Sequence, residues 1–406
     1  MPPRTILQIV PELDTGGAEL SAVEIGEAVH RAGWRSIIAT EGGRLEADAE
    51  AQGSEIHKLS VATKNPIKMW ANVRRIVQLC QRENVCLIHA RSRAPAWSAL
   101  WAARRSGLPF VTTYHGAYNE NGSAKRLYNS VMARGDRVIA NSQFTADLIR
   151  QRYDTPQEKI TVIHRGVDRS FDRDLVSTGR IDAVRRRWGV GADEIIILQA
   201  ARLTGWKGQQ VLIDAAERVH STGLSDNVRF VIAGDAQNRT SYLEKLRAQI
   251  SQLGLSERVL LVGHESDMAA AFAAAYAVVV ASTEPEAFGR VGAEAQALGR
   301  PVIATRLGAP QETVRSAPEF GPSDVTGWLV KPGDADEMAA AIGAVLALDE
   351  EAYSAMADRA IQNAHHNFTL EQMKRLTLAV YDDLLGSRLE KAFKSAVDVS
   401  ISSDNA

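Results

Sequence analysis

Cysteine is scarce: the 406-residue chain has two, Cys80 and Cys86. Two are too few for a disulfide framework or a multi-cysteine metal site, so both read as reduced, partly buried bystanders. Long apolar runs are missing as well, since no stretch approaches the roughly 18 residues that a membrane-crossing helix needs. Met1-Pro2-Pro3-Arg4 leads straight into a strand-like segment without an apolar leader core, and the expected location is the cytoplasm. No sign of charge dominates, because 47 Lys and Arg oppose 49 Asp and Glu, a net charge of −2. The balance hides an asymmetry: residues 1–180 carry 25 cations against 19 anions, and the remainder 22 against 30. A basic first half can dwell near anionic lipid or phosphorylated substrates, although scattered solubilising charge is the plainer reading. With 45% hydrophobic and 24% charged residues, disorder, collagen-like repeats and coiled coils are all disfavoured. The length suits two domains.

What is there is a rhythm of short, β-branched apolar runs alternating with helix-like stretches. A first series runs through Thr5–Val10, 36–40, 55–59, 86–90, Phe110–Tyr114, 137–141 and 160–164, and a second through Ile195–Ala200, Val228–Ala233, 259–262, 277–281, Val302–Thr305 and 328–330. Strands that are apolar throughout, rather than alternating, are buried on both faces. The expected fold class is therefore α/β, two Rossmann-like domains each with a doubly wound parallel sheet. The expected linker spans 168–179, and 369–385 reads as an amphipathic helix. Residues 391–406 read as a disordered tail, because 395–406 is mostly small and polar.

Three constellations carry chemistry. Gly16 and Gly17 open a helix after the first strand, where backbone N–H groups can approach phosphate or sugar oxygens. Neither G-x-G-x-x-G nor G-x-x-x-x-G-K-[ST] is present, so dinucleotide oxidoreductase and P-loop ATPase readings lose support. Arg202 and Lys207 follow the first strand of the second series, at the sheet edge where open α/β sheets bind ligands; a forked guanidinium and a mobile ammonium suit a leaving nucleoside diphosphate. Glu286 and Glu294 flank the segment Ala287-Phe288-Gly289-Arg290-Val291. A helix starting near Phe288 leaves Glu286 in the preceding loop and Glu294 in the second turn. Asp172-Arg173-Asp174 and Asp334-Ala335-Asp336 have D-x-D spacing but read as surface or capping motifs. His365-His366 belong to no metal-ligand constellation, and no metal or other cofactor is expected.

Together, Gly16-Gly17-Ala18-Glu19, Arg202…Lys207-Gly208, Glu286-Ala287-Phe288-Gly289…Glu294 and Thr326-Gly327-Trp328-Leu329-Val330…Pro332-Gly333-Asp334 resemble the retaining GT-B glycosyltransferases of family 4 over nearly the whole chain. The resemblance implies an acceptor-binding domain at 1–175, a nucleotide-sugar domain at 176–368, and a helix at 369–390 crossing back onto the first domain, with catalysis in the cleft. It implies that Arg202 and Lys207 bind the diphosphate, Glu286 the donor sugar and Glu294 the ribose. Amides of Phe288, Gly289 and Val291 complete the cradle, Gly16 and Gly17 face it, and His115, after Phe110–Tyr114, orients the sugar. His164-Arg165-Gly166-Val167-Asp168 departs from the family's usual Asn-Gly-Val-Asp, and a single Gly308 stands where a glycine pair is usual, so Gly308 and Glu312 stay outside the expected site.

A narrower resemblance, through 9–19, Ala90-Arg91-Ser92-Arg93 and Thr113-Tyr114-His115-Gly116, is to alphaproteobacterial lipopolysaccharide-core mannosyltransferases. It implies GDP-mannose as donor, a Kdo-bearing lipid A acceptor, and a place on the cytoplasmic face of the inner membrane. Arg91 and Arg93 then either meet acceptor anions or are ordinary loop arginines. Lys64-Asn65-Pro66-Ile67-Lys68-Met69-Trp70 with Arg74-Arg75 suits an anionic membrane surface, while Trp70, Val73 and Val77 equally suit a packed helix. A nucleotide-sugar epimerase and an inactive sugar-nucleotide-binding scaffold are the alternatives.

Overall fold

The computed structural model describes residues 4–14, 16–63, 65–118, 120, 122–223, 227–237 and 239–404, with the side chains of 400–404 excepted. Two compact units result. The first comprises 1–164 and 371–406, the second 165–370.

The first unit carries β1 (Thr5–Ile9), β2 (Arg35–Thr40), β3 (Ser54–Lys58), β4 (Val85–Ala90), β5 (Phe110–Tyr114), β6 (Arg137–Ala140) and β7 (Ile160–Val162), all parallel, in the order β3-β2-β1-β4-β5-β6-β7. The second carries β8 (Ile195–Ala200), β9 (Val228–Ala233), β10 (Val259–Gly263), β11 (Ala277–Val280), β12 (Val302–Thr305) and β13 (Gly327–Val330), in the order β10-β9-β8-β11-β12-β13, again parallel. In each sheet the chain winds one way and then returns past its first strand, creating a switch point between β1 and β4 and another between β8 and β11.

Burial on both faces explains the apolar strands. Along β8, Ile197 joins a core with Leu212, Phe230, Ile303 and Ile342, while Ile196 and Leu198 join the opposite core with Val231, Phe272, Val278 and Leu298. The residues alternate between two helix-covered sides, so neither side is left for water.

The unit boundary falls at 164/165, upstream of the expected 175/176. Residues 168–175 form two short 3₁₀ turns, and the helix Thr178–Trp188 belongs to the second unit. The two chain crossings lie side by side: Val167 N–H donates to the Phe368 carbonyl at 2.7 Å, and a Cβ on Gly166 would meet the Leu370 Cα at 2.3 Å.

The expected tail is a correction. Residues 389–404 form a helix, Leu389–Asp404, whose Leu389, Phe393 and Val397 are buried at i, i+4, i+8 spacing. Those three provide one apolar stripe in an otherwise polar composition. Asp382 caps this helix, its carboxylate accepting from the N–H groups of Leu389 and Glu390. The preceding helix, Leu370–Leu385, is tied into the first unit by Lys374, which pairs with Glu27 at 2.7 Å, and by Tyr381, whose hydroxyl lies 2.6 Å from His89 Nδ1.

Both cysteines are unbridged, and burial pushes the Cys80 thiol up to about 12 and that of Cys86 to about 11. Among the described residues no helix is long and apolar enough to cross a membrane.

Candidate active site

In the second unit the loops leaving β8 and β11 meet at the switch point, where open α/β sheets place their ligands. The β8 loop carries Arg202 and Lys207 and is held rigidly from below. Gln199, buried at the end of β8, donates to the Lys207 carbonyl at 2.7 Å, and Gln209 donates to the Arg202 carbonyl at 3.0 Å. Gly208 has φ +70, and a Cβ there would meet the Ala281 carbonyl oxygen at 1.9 Å. Only glycine allows the two loops to approach this closely. Thr283 N–H completes the join by donating to the Trp206 carbonyl at 2.7 Å.

This frame delivers Lys207 to Glu286. Lys207 Nζ donates to Glu286 Oε1 at 2.5 Å while lying 4.2 Å from the Trp206 ring centroid, and Ser282 Oγ donates to the same oxygen at 2.6 Å. Glu286 is 8% exposed, so its charge is stabilised by these two donors rather than by bulk water. Its backbone is anchored too, since the Ala309 N–H donates to the Glu286 carbonyl at 3.0 Å and Gly308, φ +80, leaves no room for a Cβ against that oxygen. Ser282 and Gly308 were not among the residues expected from sequence. The signals were a serine one helical turn before the glutamate and the lone glycine of 308–312.

Arg202 is exposed on the same β8 loop. The helix after Glu286 is Arg290–Ala297, two residues later than expected, with Gly289 in the left-handed conformation at its N-cap. Val291 sits in the first turn, where N–H groups lack intrahelical acceptors. Glu294 is held by Arg290, whose Nε donates to it at 3.0 Å. Phe288 turns its ring inward against Phe368, 5.7 Å between centroids, so what it can present is backbone. The two D-x-D segments are caps: Asp172 accepts from Asp174 N–H, and Asp334 from the N–H groups of Asp336 and Glu337.

In the first unit, Gly16 N-caps the helix Gly17–Arg31 after β1, and His115 follows β5. Arg93, half-exposed after β4, donates to Asn129 at 2.9 Å and lies 4.1 Å from the Tyr118 ring centroid. Arg91 is buried. It is 2% exposed, and its Nε donates to Gln8 Oε1 at 2.6 Å inside the sheet, beside His89. Its guanidinium is engaged in an interior polar network.

The sequence pattern of Glycosyltransferase Family 4 matches residues 15–171, and that of Glycosyl transferases group 1 matches 180–366. A solved glycosyltransferase of Rickettsia africae ESF-5 is 30% identical, with a TM-score of 0.86 over 96% of this chain and 100% of that one. The chain belongs to glycosyltransferase family 4. Two further similarities bear on this glycosyltransferase. HepE of Anabaena, solved in complex with UDP and glucose, is 26% identical with a TM-score of 0.81, over 94% of this chain and 100% of that one. The D-inositol 3-phosphate glycosyltransferase of Acidothermus cellulolyticus is 26% identical over 92% of this chain and 87% of that protein. The fold of the glycosyltransferase is GT-B, two parallel-sheet α/β domains, and a nucleotide sugar is its donor.

Proposed function

We propose that the enzyme transfers a hexose, with retention of anomeric configuration, from a nucleoside diphosphate sugar to a saccharide or glycolipid hydroxyl. The observation that supports this most is the Lys207–Glu286–Ser282 group at the β8/β11 switch point, with Arg202 on the same β8 loop. In this reading Arg202 and Lys207 hold the diphosphate and neutralise the charge that develops as it leaves. Both hydrogen bonds to Glu286 fall on Oε1, so Oε2 is the oxygen offered to a donor-sugar hydroxyl. Glu294 takes the ribose hydroxyls. The amides of Phe288, Gly289 and Val291 in the second unit, and of Gly16 and Gly17 in the first, serve phosphate and sugar oxygens, and His115 orients the sugar.

Glu286 is not a nucleophile in this mechanism. The bond between the anomeric carbon and the diphosphate oxygen breaks while the acceptor oxygen bonds to the same face. The acceptor proton passes to the departing phosphate. The two cations supply the charge stabilisation, and no metal or other cofactor is required.

The finer reading is mannose from GDP-mannose onto the Kdo-bearing lipopolysaccharide core, supported by the resemblance through 9–19 and 90–93 and by the basic first half. A second reading, UDP-glucose as donor, is favoured by the likeness to HepE solved with UDP and glucose. Contact with an anionic inner membrane is supported by the helix Pro66–Arg82, where Ile67 is 80% and Trp70 52% exposed, outside the packed face that the sequence spacing allowed for Trp70. Lys64 of that segment lies outside the described residues. A panel of GDP-, UDP- and ADP-sugars read by thermal shift, then by donor hydrolysis and transfer, tests the proposal. Transfer from the stabilising donor is the expected result. Isomerised sugar without transfer would mean an epimerase, and binding without turnover a scaffold.

A further inference from the structure

A recess of about 390 Å³ opens on the first unit between the helix Ser123–Asn129, the turn after it and the end of the helix Gln143–Tyr153. Arg126, Arg134 and Arg152 line it with the hydroxyls of Ser123 and Ser130, and one carboxylate, Asp154, shares the rim. Its size matches a phosphorylated monosaccharide, within the roughly 300–1,000 Å³ of small-molecule sites.

Arg126 and Arg134 are positioned by neutral partners, and Arg152 by a carbonyl and a carboxylate. Arg126 Nε donates to the Arg152 carbonyl at 3.1 Å, and Arg134 Nε donates to Ser130 Oγ at 3.1 Å while its guanidinium faces the Trp97 ring at 5.4 Å. Arg152 donates to the Tyr118 carbonyl at 2.6 Å and has Glu120 at 3.8 Å. Among the described residues no carboxylate lies within ion-pair distance of Arg126 or Arg134. Elsewhere the chain pairs comparable arginines, as with Arg35 to Glu55 and Glu83, Arg104 to Asp136 and Arg180 to Asp267. Three cations around one recess, against Asp154 on the rim and Glu120 beside Arg152, leave a net positive potential centred on Arg126 and Arg134. Guanidinium forks match the geometry of phosphate oxygens, and the Ser123 hydroxyl adds a donor, while that of Ser130 is donated to the Leu127 carbonyl at 2.7 Å.

We propose that this recess binds the phosphate group of a small, soluble phosphorylated molecule. The inference stands on the charges of the first unit and is independent of the donor site in the second. The test is titration of inorganic phosphate and of glucose 6-phosphate by calorimetry into the full chain carrying Arg202→Ala and Lys207→Ala, which removes both cations assigned to the donor diphosphate. The same titrations are made with Arg126→Gln and Arg134→Gln added. Both arginines are exposed, so the thermal midpoint is expected to hold, and Arg134→Lys serves as a charge-conserving second variant. Binding of both probes, weakened at least tenfold by the double change and largely kept in Arg134→Lys, is the expected result. Affinity unchanged by the double change overturns the proposal. So does capture by phosphatidylglycerol vesicles with no affinity for either soluble probe, which would assign the basic rim to a lipid headgroup.

Discussion

At the scale of single residues, the site rests on one carboxylate oxygen shared by a lysine and a serine. Glu286→Gln keeps the shape and the Ser282 bond but removes the charge that faces Lys207. Transfer is expected to fall by ~10²-fold or more, as when a preorganised polar group is lost at a reacting centre, with the thermal midpoint little changed. Normal kcat in this variant would remove Glu286 from the mechanism. Ser282→Ala deletes a hydrogen bond to a charged, nearly buried group, worth about 1.5–3 kcal/mol. Since Ser282 acts through Glu286, a kcat loss of roughly tenfold or more with KM for the donor little altered is expected, and Ser282→Thr should restore most of it. A KM-only effect would make Ser282 a binding rather than a positioning residue.

At the scale of elements, β4 is joined to the helix Leu370–Leu385 through buried polar groups. His89 is wedged between Tyr381 and Thr113, whose hydroxyl lies 2.7 Å from Nε2. Burial, with Arg91 adjacent, holds the imidazole well below its ordinary 6.5, and burial raises the Tyr381 phenol to about 12. The unfolded chain therefore takes up a proton near 6.5 that the folded chain refuses. This contribution leaves stability intact above that pH and erodes it below, at about 1.4 kcal/mol per pH unit for one group. Denaturant midpoints between pH 7.5 and 5.5 should fall more steeply in the wild type than in His89→Gln; parallel slopes would contradict a neutral buried His89. Truncating Phe393 to Ala should cost ~3–5 kcal/mol if the helix Leu389–Asp404 is packed as described, and no loss would mean that it is not.

The elements also show what was legible. The central strands could be read from the sequence because burial on both faces leaves an apolar signature, whereas the edge strand β3, Ser54–Lys58, is mostly polar and partly exposed. The burial of Arg91 was not legible because an arginine just past a strand has the composition of a loop. The countersignal was Gln8, His89 and Thr113, polar side chains inside three adjacent strands that make a polar interior able to hold it. The helix Leu389–Asp404 was missed because three buried residues among the described side chains of 389–399 are a thin stripe.

At the scale of the whole molecule, two doubly wound sheets each expose a switch point, and the chemistry-bearing residues of the second unit collect at one of them. Arg202, Lys207 and Glu286 were legible because each lies just beyond a strand's carboxyl end. Gly308 was not, because its role arises only when the loops after β11 and β12 are brought alongside one another, 22 residues apart in sequence between Glu286 and Gly308 and joined as a bridge, and Ser282 was not, because its bond to Glu286 lies within an irregular loop that no periodicity marks. The unit boundary at 164/165 was hidden for a related reason: the chain leaves β7 without a glycine- or proline-rich break, and what marks the crossing is its pairing with 368–370. The central claim is retaining transfer from a nucleoside diphosphate sugar, and the most direct measurement is proton NMR of the product formed with the stabilising donor. A glycoside with the donor's own anomeric configuration, formed in step with nucleoside diphosphate release and lost in Glu286→Gln, is the expected result. An inverted linkage, or no nucleoside diphosphate released from any donor in the panel, would contradict it.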